Sequence, residues 1–92
     1  IGCKWSLQVL AQLRRGIHRP GELTRACEGI STKVLNERLN KMLRFGIIER
    51  NAFPEIPPRV EYHLTDFGTH FIALIDEVDK LQQKLDTQSD DQ

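Results

Sequence analysis

Ninety-two residues, 39% of them hydrophobic, suffice for one compact domain but leave its core thin, so that help from a partner subunit is expected. The formal charge is zero, a balance that taken alone argues against a nucleic-acid partner; it conceals eleven Lys and Arg against five Asp and Glu over residues 1–60, and two against eight from Glu61 onward. Two cysteines, Cys3 and Cys27, are too few and too far apart for a disulfide framework or a zinc site and fit a reducing, cytoplasmic setting, and no apolar run has the length of a membrane span or the make-up of a secretory leader.

Between Lys4 and Arg15 the apolar residues Trp5, Val9, Leu10 and Leu13 recur at helical spacing, and Gly16 supplies a stop. A loop through Ile17, His18 and Arg19 leads to Pro20. Proline is tolerated in a first helical turn, where its missing N–H has no partner to lose, and a short helix from about Gly21 to Cys27 follows. After the tight turn at Glu28, Gly29 and Ile30, Ser31 stands where an N-cap belongs. A third helix is predicted from Thr32 to about Phe45, with Leu35, Leu39, Met42 and Leu43 on one stripe and Gly46 as its stop. The period then changes to two: Ile48 to Phe53 and Arg59 to Leu64 are predicted strands, the second with Val60, Tyr62 and Leu64 on one face and Arg59, Glu61 and His63 on the other. Pro54, Pro57 and Pro58 bar the intervening residues from a ladder and make them the stiff tip of a hairpin. Thr65 is suited to cap a last helix reaching about Leu85. The polar, acidic stretch 86–92 has no apolar anchor and is expected to be disordered.

Helix, short helix, capped helix with a polar face, then hairpin is the order of a helix-turn-helix followed by a wing. The predicted fold class is mainly α with a small β-hairpin: a winged helix-turn-helix over residues 1–64, a long C-terminal dimerisation helix over 65–85, and the tail. On the third helix Ser31, Thr32, Lys33, Asn36, Glu37 and Asn40 hold the positions from which a recognition helix reaches base edges. Lys can bond guanine acceptors, Asn can bracket adenine, and Glu can accept from cytosine N4. Lys41 and Arg44, farther along, and Arg50 and Arg59, flanking the hairpin tip, suit phosphate oxygens, which position a protein without reading sequence. Taken alone, the helix residues describe an ordinary solvated face, and either hairpin arginine could instead bridge the two strands through Glu49 or Glu61. The wing and the basic body together favour DNA. Arg38, nearer the apolar stripe, is expected to brace the fold.

In the last helix Phe67, Phe71, Leu74, Val78, Leu81 and Leu85 are spaced by alternating fours and threes, a heptad seam of the kind that packs against another helix. Phe67 and Phe71 are expected to touch the domain's own body. Phe71, Leu74, Val78, Leu81 and Leu85 are the residues expected at a second copy, with Ile72 and Ile75 available to the body. Nothing marks an enzyme or calls for a cofactor or a metal: His18, His63 and His70 are dispersed, and no Gly-rich phosphate loop or nucleophile motif is present. Cys3, beside Lys4 at a helix start, is the cysteine whose surroundings favour thiolate, although an unreactive small residue filling a gap there is the simpler reading, since most lone cysteines pack. Cys27, next to Glu28, is expected to be inert.

Gly2-Cys3-Lys4-Trp5, Gly29-Ile30-Ser31 with Lys33, Leu35 and Arg38-Leu39, then Gly46 and Arg50, Pro57-Pro58-Arg59-Val60-Glu61-Tyr62, and Leu64-Thr65 with Gly68 together form a string that resembles the HxlR family of winged-helix regulators, relatives of the MarR group. The likeness runs from Ile1 to about Leu85. It implies a dimeric bacterial repressor or activator of nearby genes, responsive to electrophiles, oxidants or small molecules. The family has a further N-terminal helix with a redox-sensing cysteine, ahead of the point where this sequence starts, and Gly where Cys3 stands, so that a sensing role for Cys3 is left open. The expected function is sequence-specific binding of a homodimer to a roughly palindromic double-stranded operator. A winged helix that docks an acidic protein without binding DNA is the rival, and a small-molecule enzyme a distant third.

Overall fold

The computed structural model describes residues 3–90, with side chains over residues 5–87. It contains α1 (Cys3–Arg14), α2 (Pro20–Ala26), α3 (Thr32–Arg44), β1 (Ile48–Phe53), β2 (Arg59–Leu64) and α4 (Asp66–Asp90). Both strands begin and end on the residues expected. Local chemistry sets the helix ends. The Ser31 hydroxyl accepts from the Val34 N–H at 3.1 Å and starts α3. At the other end Gly46, at φ 75°, turns the chain so that the Ile47 N–H reaches the Met42 carbonyl at 3.0 Å and the Gly46 N–H reaches Leu43 at 3.1 Å. This is a Schellman closure, accompanied by burial of Met42 and Ile47.

The core is formed where one stripe of each helix meets the hairpin. Val9, Leu10 and Leu13 of α1, Leu23 of α2, Leu35, Leu39 and Met42 of α3, Ile48 of β1, Tyr62 of β2 and Ile72 of α4 are all buried in one cluster, which also takes in Cys27, Ile30 and Ile47. The antiparallel register sets Ile48 opposite Leu64, Arg50 opposite Tyr62 and Phe53 opposite Arg59. Because side chains alternate, Val60, Tyr62 and Leu64 face the core while Arg59, Glu61 and His63 share the other face, as expected. The loop after α1 joins the hairpin: the Tyr62 N–H donates to the His18 carbonyl at 2.8 Å, and His18 Nδ1 donates to the Tyr62 carbonyl at 2.9 Å.

Two expectations about α4 are corrected. The helix does not end near Leu85 but runs to Asp90. Lack of an apolar anchor decides whether a segment packs, not whether it is helical; residues 86–90 contain no Gly or Pro to break the i to i−4 bonds, and Gln82 bonds the Asp86 side chain at 3.3 Å. Phe67 is not buried in the body: it only lines a groove with Met42 and Phe45 and remains 57% exposed. The heptad spacing identifies residues that share a stripe, but Gly68 and Ile72, one position on, are the buried residues facing the body. Thr65 fixes that orientation: its hydroxyl accepts from the Gly68 N–H at 2.9 Å, and its own N–H donates to the Ile47 carbonyl at 3.1 Å.

Candidate nucleic-acid interface

On α3 the buried stripe of Leu35, Leu39 and Met42 leaves the opposite face to solvent, and that face carries Thr32, Lys33, Asn36, Glu37, Asn40, Lys41 and Arg44, all exposed, with Ser31 at the cap. Among the described residues none of these seven side chains makes an intramolecular hydrogen bond or ion pair, so their donors and acceptors are available to an external partner. The helix C-terminus is basic, with Lys41 and Arg44 in its last turn. Arg38 is half-buried beside the stripe, and its Nε is buried without a hydrogen-bond partner, in keeping with a side chain that packs more than it reaches out.

The wing arginines, expected to flank the hairpin tip, do not occupy equivalent positions. Arg59 lies at the tip, opposite Phe53, whereas Arg50 lies three pairs back, opposite Tyr62 and on the other face of the hairpin. Arg50 is exposed. Arg59 is engaged on three sides: Nη2 is 3.2 Å from Glu55 Oε1, Nε is 3.5 Å from Glu61 Oε2, and the guanidinium lies 4.1 Å above the Phe53 ring. The contact with Glu61 is electrostatic only, because Nε has no partner at hydrogen-bonding geometry. His63 Nε2 in turn donates to Glu61 Oε1 at 2.9 Å, and the His18 and His63 rings stack with centroids 3.9 Å apart. The His63 hydrogen bond, with the charges of Arg59, His63 and Arg19, holds the Glu61 carboxyl below the usual carboxylate range against the opposing cost of burial.

This network was out of reach of sequence reasoning. His18 and His63 are remote along the chain, and only the pairing of the α1–α2 loop with β2 brings them together. The alternation of Arg59, Glu61 and His63 on one strand face was visible, and it is the one signal that a connected set of charges stood there. Cys27 is 2% exposed in the core, and burial, not the neighbouring Glu28, pushes its thiol up. The side chain of Cys3, the expected redox residue, lies outside the described ones.

The seam of α4 is open to solvent beyond the body: Leu74, Val78, Leu81 and Leu85 are each more than half exposed, and Phe71 is half-buried. At its near end Phe67 and Phe71, with ring centroids 6.2 Å apart, continue into an apolar groove of about 380 Å³ that Leu7, Met42 and Phe45 also line, with Lys41 at its edge. Arg14 of α1 bonds Asp76 of α4 at 3.0 Å on the side of α4 away from this seam.

Residues 1–90 match the family model described as HxlR-like helix-turn-helix. An HTH-type transcriptional regulator of Synechocystis sp. is 46% identical over 78 residues, 85% of this chain and 58% of that protein. YtcD, an HTH-type transcriptional regulator of Bacillus subtilis, is 34% identical over 76 residues, 83% of this chain and 60% of its own length. The chain thus spans less than two thirds of these curated relatives. Among solved structures, diamide-treated YodB from B. subtilis superposes with a TM-score of 0.83 at 34% identity, covering 87% of this chain and 79% of that one. The redox regulator HypR in its oxidized form gives a TM-score of 0.66 at 26% identity, over 82% and 80% of the two chains.

Proposed function

The chain belongs to the HxlR-like helix-turn-helix family, and from that premise we propose that it is the sequence-specific DNA-binding unit of a homodimeric transcription regulator. The observation that carries this reading is the outward face of α3, where Lys33, Asn36, Glu37 and Asn40 are exposed and unpaired on a helix whose other face is locked into the core. Such a helix can enter a major groove without disturbing the fold that presents it. Thr32 and Ser31 lie at its leading end, Lys41 and Arg44 serve phosphates at its trailing end, and Arg50 adds a phosphate contact from the hairpin. The test is binding to promoter DNA across a salt series. The expected result is steeply salt-dependent affinity, because each phosphate contact releases counterions; an interaction module for acidic proteins would instead bind an acidic polypeptide and show no preference among duplexes.

The partner expected at α4 is a second copy. The spacing of Phe67, Phe71, Leu74, Val78, Leu81 and Leu85 is identical in both chain directions. Two antiparallel α4 helices therefore match layer for layer, with Leu85 of one copy opposite Phe67 of the other. That arrangement covers the groove beside Phe67 with the partner's acidic distal half, next to Lys41, whereas a parallel pair would juxtapose the acidic ends.

Regulation by oxidants belongs to the same reading. It is supported by the likeness to diamide-treated YodB and to the redox regulator HypR; burial argues against Cys27 as the sensor, and Cys3 is the candidate within these 92 residues. Operator affinity measured before and after peroxide, for the wild type and Cys3→Ser, tests it; a wild type indifferent to peroxide excludes Cys3 as the sensor.

A further inference from the structure

The basic charge of this molecule is on its helices, not on its wing. Residues 48–64 carry two arginines against three glutamates, Glu49, Glu55 and Glu61, so the hairpin is net acidic where a phosphate-gripping wing would be basic. Its tip arginine is already occupied. Arg59 is 29% exposed, its face lies on Phe53, and its charge is shared between Glu55 and Glu61. Arg59 also lines a cleft of about 320 Å³ between the wing tip and the loop before α2, together with Arg19 and Glu55 and walled by Pro20, Pro57 and Pro58. Two arginines converging on one cleft form a seat for an anionic oxygen group, and the carboxylate present there is that of Glu55.

The two carboxylates on Arg59 are not equivalent. Glu61 is 21% exposed and tied by His63, so it is part of the wall. Glu55 is 51% exposed at the tip and holds Arg59 through one contact that a competing anion can replace. We propose that Glu55 is a built-in competitor for DNA phosphate, holding Arg59 back so that this arginine adds no phosphate contact on non-specific DNA and grips only where α3 has seated the wing against the backbone. This rests on the DNA-binding reading and deepens it, making Glu55 a specificity-determining residue that never touches a base.

The test compares the wild type with Glu55→Gln, Arg59→Met, the double variant and Glu49→Gln on short duplexes of scrambled sequence, from about 50 to about 200 mM salt. Glutamine keeps the size of Glu55 at an exposed position, and methionine keeps the packing on Phe53. Glu55→Gln should bind several-fold more tightly, with a log–log salt slope steeper by about 0.9, the value of one added phosphate contact. Both changes should vanish when residue 59 is Met, and Glu49→Gln, which lies opposite His63 and away from Arg59, should reproduce neither. The proposal is overturned if Glu55→Gln binds like the wild type, or if its gain is as large with Met at 59, because the charge would then act at long range and not through Arg59. A wild type without salt-dependent binding to any duplex, with α3 variants equally silent, would sink the DNA reading itself, and this inference with it.

Discussion

Gly68 is the position where one missing side chain decides how α4 meets the rest of the domain. A Cβ there would lie 1.9 Å from the Ile47 carbonyl oxygen, a backbone atom that Thr65 also bonds, so the helix start would have to move. Gly68→Ala should cost about 1–3 kcal/mol in denaturant unfolding, whereas Gly21→Ala, whose Cβ would meet only the tip of Arg25 at 3.9 Å, should be close to neutral. Glu61 makes a prediction about pH. Its folded carboxyl titrates below the unfolded one, so its stabilisation is complete above the ordinary value of 4.5 and is lost as pH falls through the lowered folded value. The gap in thermal midpoint between wild type and Glu61→Gln should reach its full width once the pH exceeds 4.5 and should close in acid; a gap independent of pH would remove the His63 and Arg59 contacts as its source. Ser31 and Thr65 were legible as caps because a cap bonds within three residues. Of the partners of Arg59, Glu61 was legible as an alternative to phosphate, whereas Glu55 and Phe53 were not, because they depend on register and on side-chain conformation at a turn.

Among the elements, α3 and α4 each present a face that the domain itself does not use. Replacing Lys33 or Asn36 with Ala should cost about 1–3 kcal/mol at the base pair each contacts and relax the preference there, while leaving the unfolding curve unchanged, since both side chains are exposed and unpaired. Operator variants assayed position by position provide the check; unchanged preferences in both variants would mean another face reads the DNA. The helices and strands themselves were legible because periodicity of 3.6 or 2 is written into the chain and Gly46 and the prolines punctuate it. What spacing does not encode is direction. The heptad of α4 picked out one stripe correctly, yet Gly68, Ile72 and the Arg14–Asp76 ion pair, which turn that stripe outward, involve contacts with Ile47 and α1 that lie far away in sequence.

As a whole the molecule measures 60 × 28 × 21 Å, the long dimension set by the distal half of a 25-residue helix that extends past the body at about 1.5 Å per residue. A free rod with an apolar stripe is unfavourable in a monomer, and the proposed second copy would supply its complement. Val78→Glu or Leu81→Glu would bury an unpaired charge in that seam, so light scattering should report monomer for either variant, and an unchanged mass for both would show that another surface holds the dimer. In the proposed dimer the two α3 faces are linked at a fixed separation, the geometry on which recognition of a palindrome depends. The measurement that tests this most directly is a hydroxyl-radical footprint, on DNA recovered from genome-wide binding, of the wild type beside the Lys33→Ala, Asn36→Ala double variant. The wild type should protect two half-sites one helical turn apart, about 34–36 Å, or a multiple of that. The double variant should lose that pattern while still binding DNA at low salt, and an identical footprint from both proteins would contradict the assignment of α3 as the reading helix.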